Sequence, residues 1–322
     1  MSDVPDNQAS EESGADAESP ETPTTGASAP PEEALSDETH ETESAATFRV
    51  MSVESVLFEL GDASPEVHLM EAEAPYRSLS IPLALSDAQS LFQALYQIPG
   101  RRPGTHELAT TMLSRLRTDV VAARIVRLEA GVFYAELDVM TPQGREVFDC
   151  RTSDALNLAL RQRVPAPDGE ALSDETLSDE AHEGESAATF RVMSVESVLF
   201  ELGDASPEVH LMEAEAPYRS LSIPLALSDA QSLFQALYQI PGRRPGTHEL
   251  TTTMLSRLRT DVVAARIVRL EAGVFYAELD VMTPQGREVF DCRTSDALNL
   301  ALRQRVPAPV LCEESILSRE DA

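Results

Sequence analysis

Residues 35–167 recur, displaced by 142 positions, as residues 177–309, and only three pairs differ along that span: Thr39/Ala181, Thr42/Gly184 and Ala109/Thr251. Solenoid units run to roughly 20–50 residues, so a period this long is a tandem duplication of a whole domain. Each copy is large enough to bury a core of its own, and any site in one copy exists twice. The 322 residues therefore divide into an acidic tail (1–46), a first domain (47–167), an acidic linker (168–188), a second domain (189–318) and a short tail (319–322). The string EALSDET, at 33–39 and again at 170–176, marks the seam of the duplication.

The net charge of −30 argues against a nucleic-acid binder until its distribution is read. Residues 1–47 hold 13 acids and residues 168–189 hold 8, with no Arg or Lys in either, whereas each core (48–167, 190–309) sets 15 acids against 12 arginines. Lysine is absent from the chain, so every strong basic contact is a guanidinium, the group best matched to phosphate and carboxylate. Residues 1–46 carry too little bulky apolar surface to offset the entropy of ordering and are expected to be disordered. The opening MSDVPDNQAS has neither a basic stretch nor an apolar core, and no run approaches 18 apolar residues; the expectation is a cytoplasmic protein with no secretory leader and no membrane span. Cys150, Cys292 and Cys312 lack paired spacing and fit reduced thiols, with Cys150 on the core face of a strand.

Within each copy the periodicity predicts an α/β domain (α+β layered), a mixed β-sheet with about three helices in the order βββααβββα. Strands are expected near 48–60, 66–73 and around Leu79 and Ile81, and again at 119–129, 132–140 and 145–150. Ser86 and Gln89 read as a capping box, Thr105 as the cap of a second helix with Leu108, Met112, Leu113 and Leu116 inward, and Ser153 as the cap of the last helix. The second copy continues past Pro309 into VLCEESIL, whereas the first passes from Pro167 into DGEALSDET. The first copy is thus expected to lack a terminal strand and to expose a sheet edge, closed by its sister copy or, in a homo-oligomer, by another chain.

Keeping the apolar sides of the hairpin around TPQG together pairs Met140 with Arg145 and sets Glu136 opposite Asp149. Like charges across a ladder are unfavourable, so an arginine such as Arg151, a proton or a bound cation should neutralise them. Asp149, Asp154 and Glu136, with Asp291, Asp296 and Glu278 in the second copy, can converge on one hard cation, Mg2+ or Mn2+. Asp154 equally suits the positive end of a helix, with Arg161 and Arg163 at the other end. His106 (His248) opens a helix without the second histidine of a zinc protease; it is a candidate general base or phosphate contact, or simply part of a polar helix start. Arg101 and Arg102, like Arg243 and Arg244, can hold phosphate before a helix N-terminus. Spacings for a Ser/His/Asp triad, a Gly-rich nucleotide loop or a CxxC metal pair are not found.

The blocks SIPLALSDAQSLFQAL, RRPGTHEL, GVFYAEL and FDCRTSDALNLALR, followed in the second copy by VPAPVLCEESIL, resemble the bifunctional nuclease family, whose members are assigned DNase and RNase activity. The resemblance spans about residues 50–165 and 192–318. The family's Asp-x-Arg-Pro-Ser-Asp-Ala block corresponds to Asp149, Arg151, Ser153, Asp154 and Ala155, with Thr152 in place of the proline. Its Arg-Pro-x-Thr-His-Asp block corresponds to Arg102, Pro103, Thr105 and His106, with Glu107 for the aspartate, and its Ile-Gly after the third strand is replaced by Ala84 and Leu85. The resemblance implies nuclease activity on DNA and RNA; the carboxylates and arginines themselves read as a metal-assisted phosphodiesterase that binds its substrate weakly and without sequence specificity. Asp149, Arg151, Asp154 and His106 would then be catalytic, together with Asp291, Arg293, Asp296 and His248. The competing reading is a non-catalytic binding or assembly module, since a core of net charge −3 lacks the basic stripe of a strong nucleic-acid binder.

Overall fold

The computed structural model describes residues 48–58, 64–100, 102–162, 189–200 and 206–320. The tail and linker assignments at 1–46 and 168–188 lie outside the described residues. In the first half, β1 (Met51–Leu57), β2 (Glu66–Glu71) and β3 (Ser78–Pro82) precede α1 (Leu85–Leu95) and α2 (Thr105–Arg115). Then come β4 (Asp119–Glu129), β5 (Val132–Thr141), β6 (Gly144–Arg151) and α3 (Thr152–Arg161). The second half repeats the series as β7 (Phe190–Leu199), β8 (Glu208–Glu213), β9 (Ser220–Pro224), α4 (Leu227–Leu237), α5 (Thr247–Arg257), β10 (Asp261–Glu271), β11 (Val274–Thr283), β12 (Gly286–Arg293) and α6 (Thr294–Leu302). It then adds β13 (Val310–Glu313) and α7 (Glu314–Glu320). The architecture is α/β in two repeated halves, and no helix among the described residues is long and apolar enough to cross a membrane.

The strands follow their period-two patterning. On β5, Ala135, Leu137 and Val139 are buried against Phe148 and Cys150 of β6, because β5 and β6 pair with Ala135 opposite Cys150 and Leu137 opposite Phe148. That register sets Glu136 against Asp149 and Met140 against Arg145. The first half holds two separate antiparallel sheets, β1-β2-β3 and β4-β5-β6. In the second half β13 pairs parallel with β10 and antiparallel with β7, fusing the two triplets into one seven-stranded sheet ordered β12-β11-β10-β13-β7-β8-β9. The core follows suit. Val56, Val67, Leu69, Ile81 and Leu91 of the first half form a cluster by themselves, while their second-half counterparts share one large core with Val310, Cys312 and with α2, β5 and β6 of the first half.

The helix caps differ from expectation. Each helix starts one or two residues early, so that Ala84, Gly104 and Arg151 occupy the cap positions of α1, α2 and α3, none with a side-chain cap. The amide of Gly104 instead donates to the Glu107 carboxylate at 2.8 Å, half of a capping box. Thr105 is free of capping because its hydroxyl has another acceptor: it reaches into the opposite half of the molecule. That observation locates the site.

A candidate active site shared by the two halves

Asp154 stands in the first turn of α3 and is 0% exposed. Its Oδ1 accepts from Nε2 of His106 on α2 at 2.8 Å, and from the hydroxyl of Thr247, on α5 of the other half, at 2.7 Å. Arg151 completes the shell: Nε donates to Oδ2 at 2.8 Å and a terminal nitrogen to Oδ1 at 3.1 Å. The same terminal nitrogen reaches the Thr247 hydroxyl oxygen at 3.1 Å, and the other reaches Asp87 of α1 at 3.2 Å. The second site mirrors the first, with Asp296, His248, Arg293 and Asp229 from the second half and Thr105 from the first. Neither site is complete within one half.

Behind His106 the network runs on toward α1. Its Nδ1 lies 3.0 Å from the Ser90 hydroxyl, which is also 3.0 Å from Oδ1 of Asn157. Asn157 is oriented by its amide donating to Ser153 O at 2.9 Å and by Arg161 donating to Oδ1 at 2.6 Å. Because Nε2 faces an ionised carboxylate, it carries a ring hydrogen; the Ser90 hydroxyl has a single hydrogen, donated to Asn157 Oδ1, and its oxygen sits beside Nδ1, so the two acceptors compete for that hydrogen. A Ser, His, Asp line thus exists in each half, Ser90, His106, Asp154 and Ser232, His248, Asp296, contrary to the sequence reading that found no such arrangement. Its members come from three helices, and spacing along the chain carries no trace of it.

Two arginines hold the halves together. Arg102 of the first half donates to Phe275 O at 2.6 Å and to Cys292 O, and stacks on Tyr276 with 4.6 Å to the ring centroid. Arg244 does the same to Phe133 O, Cys150 O and Tyr134. The guanidiniums expected to present themselves to phosphate are therefore engaged with main-chain carbonyls of the opposite half. Of their neighbours, Arg243 is exposed on the loop before α5, and Arg101 lies outside the described residues. Arg115 and Arg257 add cation–π contacts across the same seam, to Phe290 at 4.9 Å and Phe148 at 5.0 Å.

The carboxylates expected to share a cation do not converge. Asp149 is exposed on the outer side of β6, opposite Glu136, while Asp154 is enclosed beneath α3. Glu136 is neutralised not by Arg151 but by Arg124 of β4 at 3.0 Å, which also holds the buried Asp138 at 2.8 Å. Asp291 and Glu278 repeat this pairing, with Arg266 at 2.9 Å from Glu278. Among the described residues no group of three or more His, Cys, Asp or Glu has the arrangement of a metal centre, and both oxygens of Asp154 are occupied by protein donors. The donor set does not fit Mg2+ or Mn2+ at Asp154.

Electrostatics follow from this shell. Burial works against ionising Asp154, but the hydrogen bonds and charges of His106 and Arg151 outweigh it and hold the carboxyl below the usual carboxylate range; Asp296 behaves alike. Beside them, burial pushes the Cys150 thiol up to about 12, which leaves it an inert core residue. A depressed folded pKa stabilises the fold fully above the unfolded value of about 3.9, and that stability is lost as pH falls through the folded value. The protein is therefore expected to lose stability on acidification below about pH 4. Replacing Asp154 and Asp296 by Asn should flatten that stretch of a urea-midpoint versus pH profile; an unchanged slope would place the acid sensitivity elsewhere.

Comparison with known proteins gives two matches to one family description. Residues 67–177 and 209–322 each match the bifunctional nuclease domain, one stretch per half. The chain is also 31% identical over 119 residues to two uncharacterized proteins of Mycobacterium tuberculosis, from strains CDC 1551 and H37Rv. The match takes in 35% of this chain and 65% of each relative, so it spans just under two thirds of their length.

Proposed function

The chain belongs to the bifunctional nuclease domain family, and from that premise we propose that it hydrolyses phosphodiester bonds of DNA and RNA with little regard to sequence. The family points to nuclease-related work on nucleic acid; the residues that carry it here are the two Ser, His, Asp lines. The observation that supports this reading is His106 held between an ionised, fully buried carboxylate and a hydroxyl at the half-buried end of the line. Ionised carboxylates in such enclosed, partner-rich settings gather at functional sites.

The chemistry assigned to the chain is proton transfer and charge stabilisation. Once the Ser90 hydroxyl turns its hydrogen from Asn157 Oδ1 to Nδ1 of His106, both 3.0 Å away, that hydrogen passes to Nδ1 as an attacking water gives a proton to Ser90 Oγ. Asp154 stabilises the resulting imidazolium and fixes the ring, as a buried carboxylate does in a hydrolytic triad. The proton returns to the leaving oxygen by the same route. Arg161, which donates to Ser90 O at 3.0 Å, lies at the edge of an open groove between the ends of α1, α2 and α3, lined also by Gln93, Gln97, Glu107, Thr111 and Arg115. The second half has its counterpart beside Arg303 and Arg305. Arginines placed there meet phosphate charge and read no bases, which accounts for low specificity.

A second reading has its own support: Thr247, Arg151 and His106 together satisfy Asp154, so the same residues serve as a lock between halves in an assembly module. A degradation assay with supercoiled plasmid and single-stranded RNA, with divalent ions or with EDTA, separates the two. Under the nuclease reading, Ser90→Ala with Ser232→Ala slows both substrates by about 10²-fold while the unfolding midpoint holds. Equal cleavage by variant and wild type rejects this site, and no cleavage by the wild type leaves the assembly module.

A further inference from the structure

The two halves have identical sequence through β1 and β4 on one side and β7 and β10 on the other, yet among the described residues only the second half has a strand between them. Val310 of β13 sits opposite Ala265 and Met193, and Cys312 opposite Ile267 and Arg191. The insertion is anchored at both ends, by the Ala265 amide on Pro309 O at 3.0 Å and the Glu314 amide on Thr189 O at 2.9 Å. Val310, Cys312, Ile316 and Leu317 are all buried. Glu314 closes the seat by binding Arg219 at 2.7 Å and lying 3.7 Å from Arg191.

In the first half β1 and β4 belong to different sheets, and among the described residues their side chains are less covered. Met193 and Ile267 are 4% and 1% exposed, whereas their counterparts Met51 and Ile125 are only half-buried. The Arg77 side chain is 65% exposed against 16% for Arg219, because the acid that Glu314 supplies has no equivalent among the described residues. Phe48, the counterpart of Phe190, is 49% exposed. The sequence that follows the first half does not provide the strand chemistry either. At the same 142-residue offset, Asp168 stands where Val310 is buried and Glu170 where Cys312 is buried, and a carboxylate at either place is costly.

We propose that the β1/β4 gap of the first half is a docking site for an extended segment of another polypeptide. The segment carries small apolar side chains two residues apart, then a glutamate, then an apolar helical turn. It binds by strand addition: its backbone completes both sheet edges, its alternate side chains cover Met51 and Ile125, and its glutamate pairs with Arg77. An exchanged β13 from a second copy of this chain is a poor occupant, because it vacates one seat to fill another. Filling the gap turns the two triplets of the first half into one continuous sheet, as in the second.

The probe is a labelled peptide with the sequence of residues 306–320, VPAPVLCEESILSRE, titrated under reducing conditions into the full chain and followed by fluorescence anisotropy. One saturable site per chain is expected. Glu314→Gln in the peptide should weaken it about tenfold, the loss of a charge-assisted contact, and Val310→Asp should abolish binding. As control, a chain whose residues 168–176 are replaced by the sequence of 310–318 should neither bind the peptide nor unfold as early on heating. Absence of saturation up to about 1 mM peptide, or equal binding to the control chain, overturns the proposal. So does a stable homodimer that the peptide leaves intact, which would seat a second copy at this edge instead.

Discussion

Asp154→Ala together with Asp296→Ala is expected to lower the free energy of unfolding by about 3–5 kcal/mol per site, the usual cost of removing one partner from a buried ionic network. The argument rests on what the alanine leaves behind. His106 Nε2 and the Arg151 fork stay aimed at an emptied position from which water is excluded, and Thr247 loses its acceptor while still 3.1 Å from Arg151. Arg151 keeps the Asp87 carboxylate at 3.2 Å, but it and His106 lose the anion they are packed around, and donors left unsatisfied in this way cost more than the original contacts stabilised. Both sites also lie on the seam, so the loss falls on the contact between halves as well as on each half. Against a total stability of about 5–15 kcal/mol for a typical fold, the double variant should be largely unfolded at ambient temperature, and each single variant should show a clear drop in urea midpoint. A single change below about 1 kcal/mol would mean that the carboxylate is not the centre of the network.

Much of the fold is legible along the chain because it is written in local periodicity. The hairpin register follows from burying Leu137 and Val139 against Phe148, and the pairing of Glu136 with Asp149 follows from that alone. The site is harder to read, for a physical reason. Asp154 and His106 belong to recognisable blocks, but the group that completes their shell is Thr247, 93 positions away in the sister copy. One threonine per copy, read within its own copy, looks like a helix cap; only pairing of the copies turns it outward to the opposite aspartate. Ser90 is hidden similarly, one polar residue on an amphipathic helix until α1, α2 and α3 are packed together. The carboxylates stand in different surroundings because alternation on β6 leaves Asp149 exposed while the first turn of α3 buries Asp154, a difference that proximity in sequence conceals.

His106→Ala and His248→Ala together are expected to reduce cleavage of DNA and RNA by about 10²–10⁴-fold, the range over which a positioned acid–base group contributes. The substitution removes the only member of the line that both accepts the Ser90 hydrogen and donates to the carboxylate. It leaves Asp154 its ionic partner Arg151 and the hydroxyl of Thr247, so the fold should survive better than after loss of the aspartate. Because each site draws its serine, histidine and aspartate from one half, either single variant should retain about half of the activity if the halves turn over independently. Threonine traffic across the seam adds a specific signature: Thr247→Val, made in the second half, should impair the first half's site, so that combining it with His106→Ala costs little more than His106→Ala alone, while combining it with His248→Ala weakens both. Initial rates on plasmid and RNA, measured side by side with urea midpoints, decide the matter. A double histidine variant that still cleaves at the wild-type rate removes His106 and His248 from the chemistry, and one that loses a single substrate assigns the two activities to different sites.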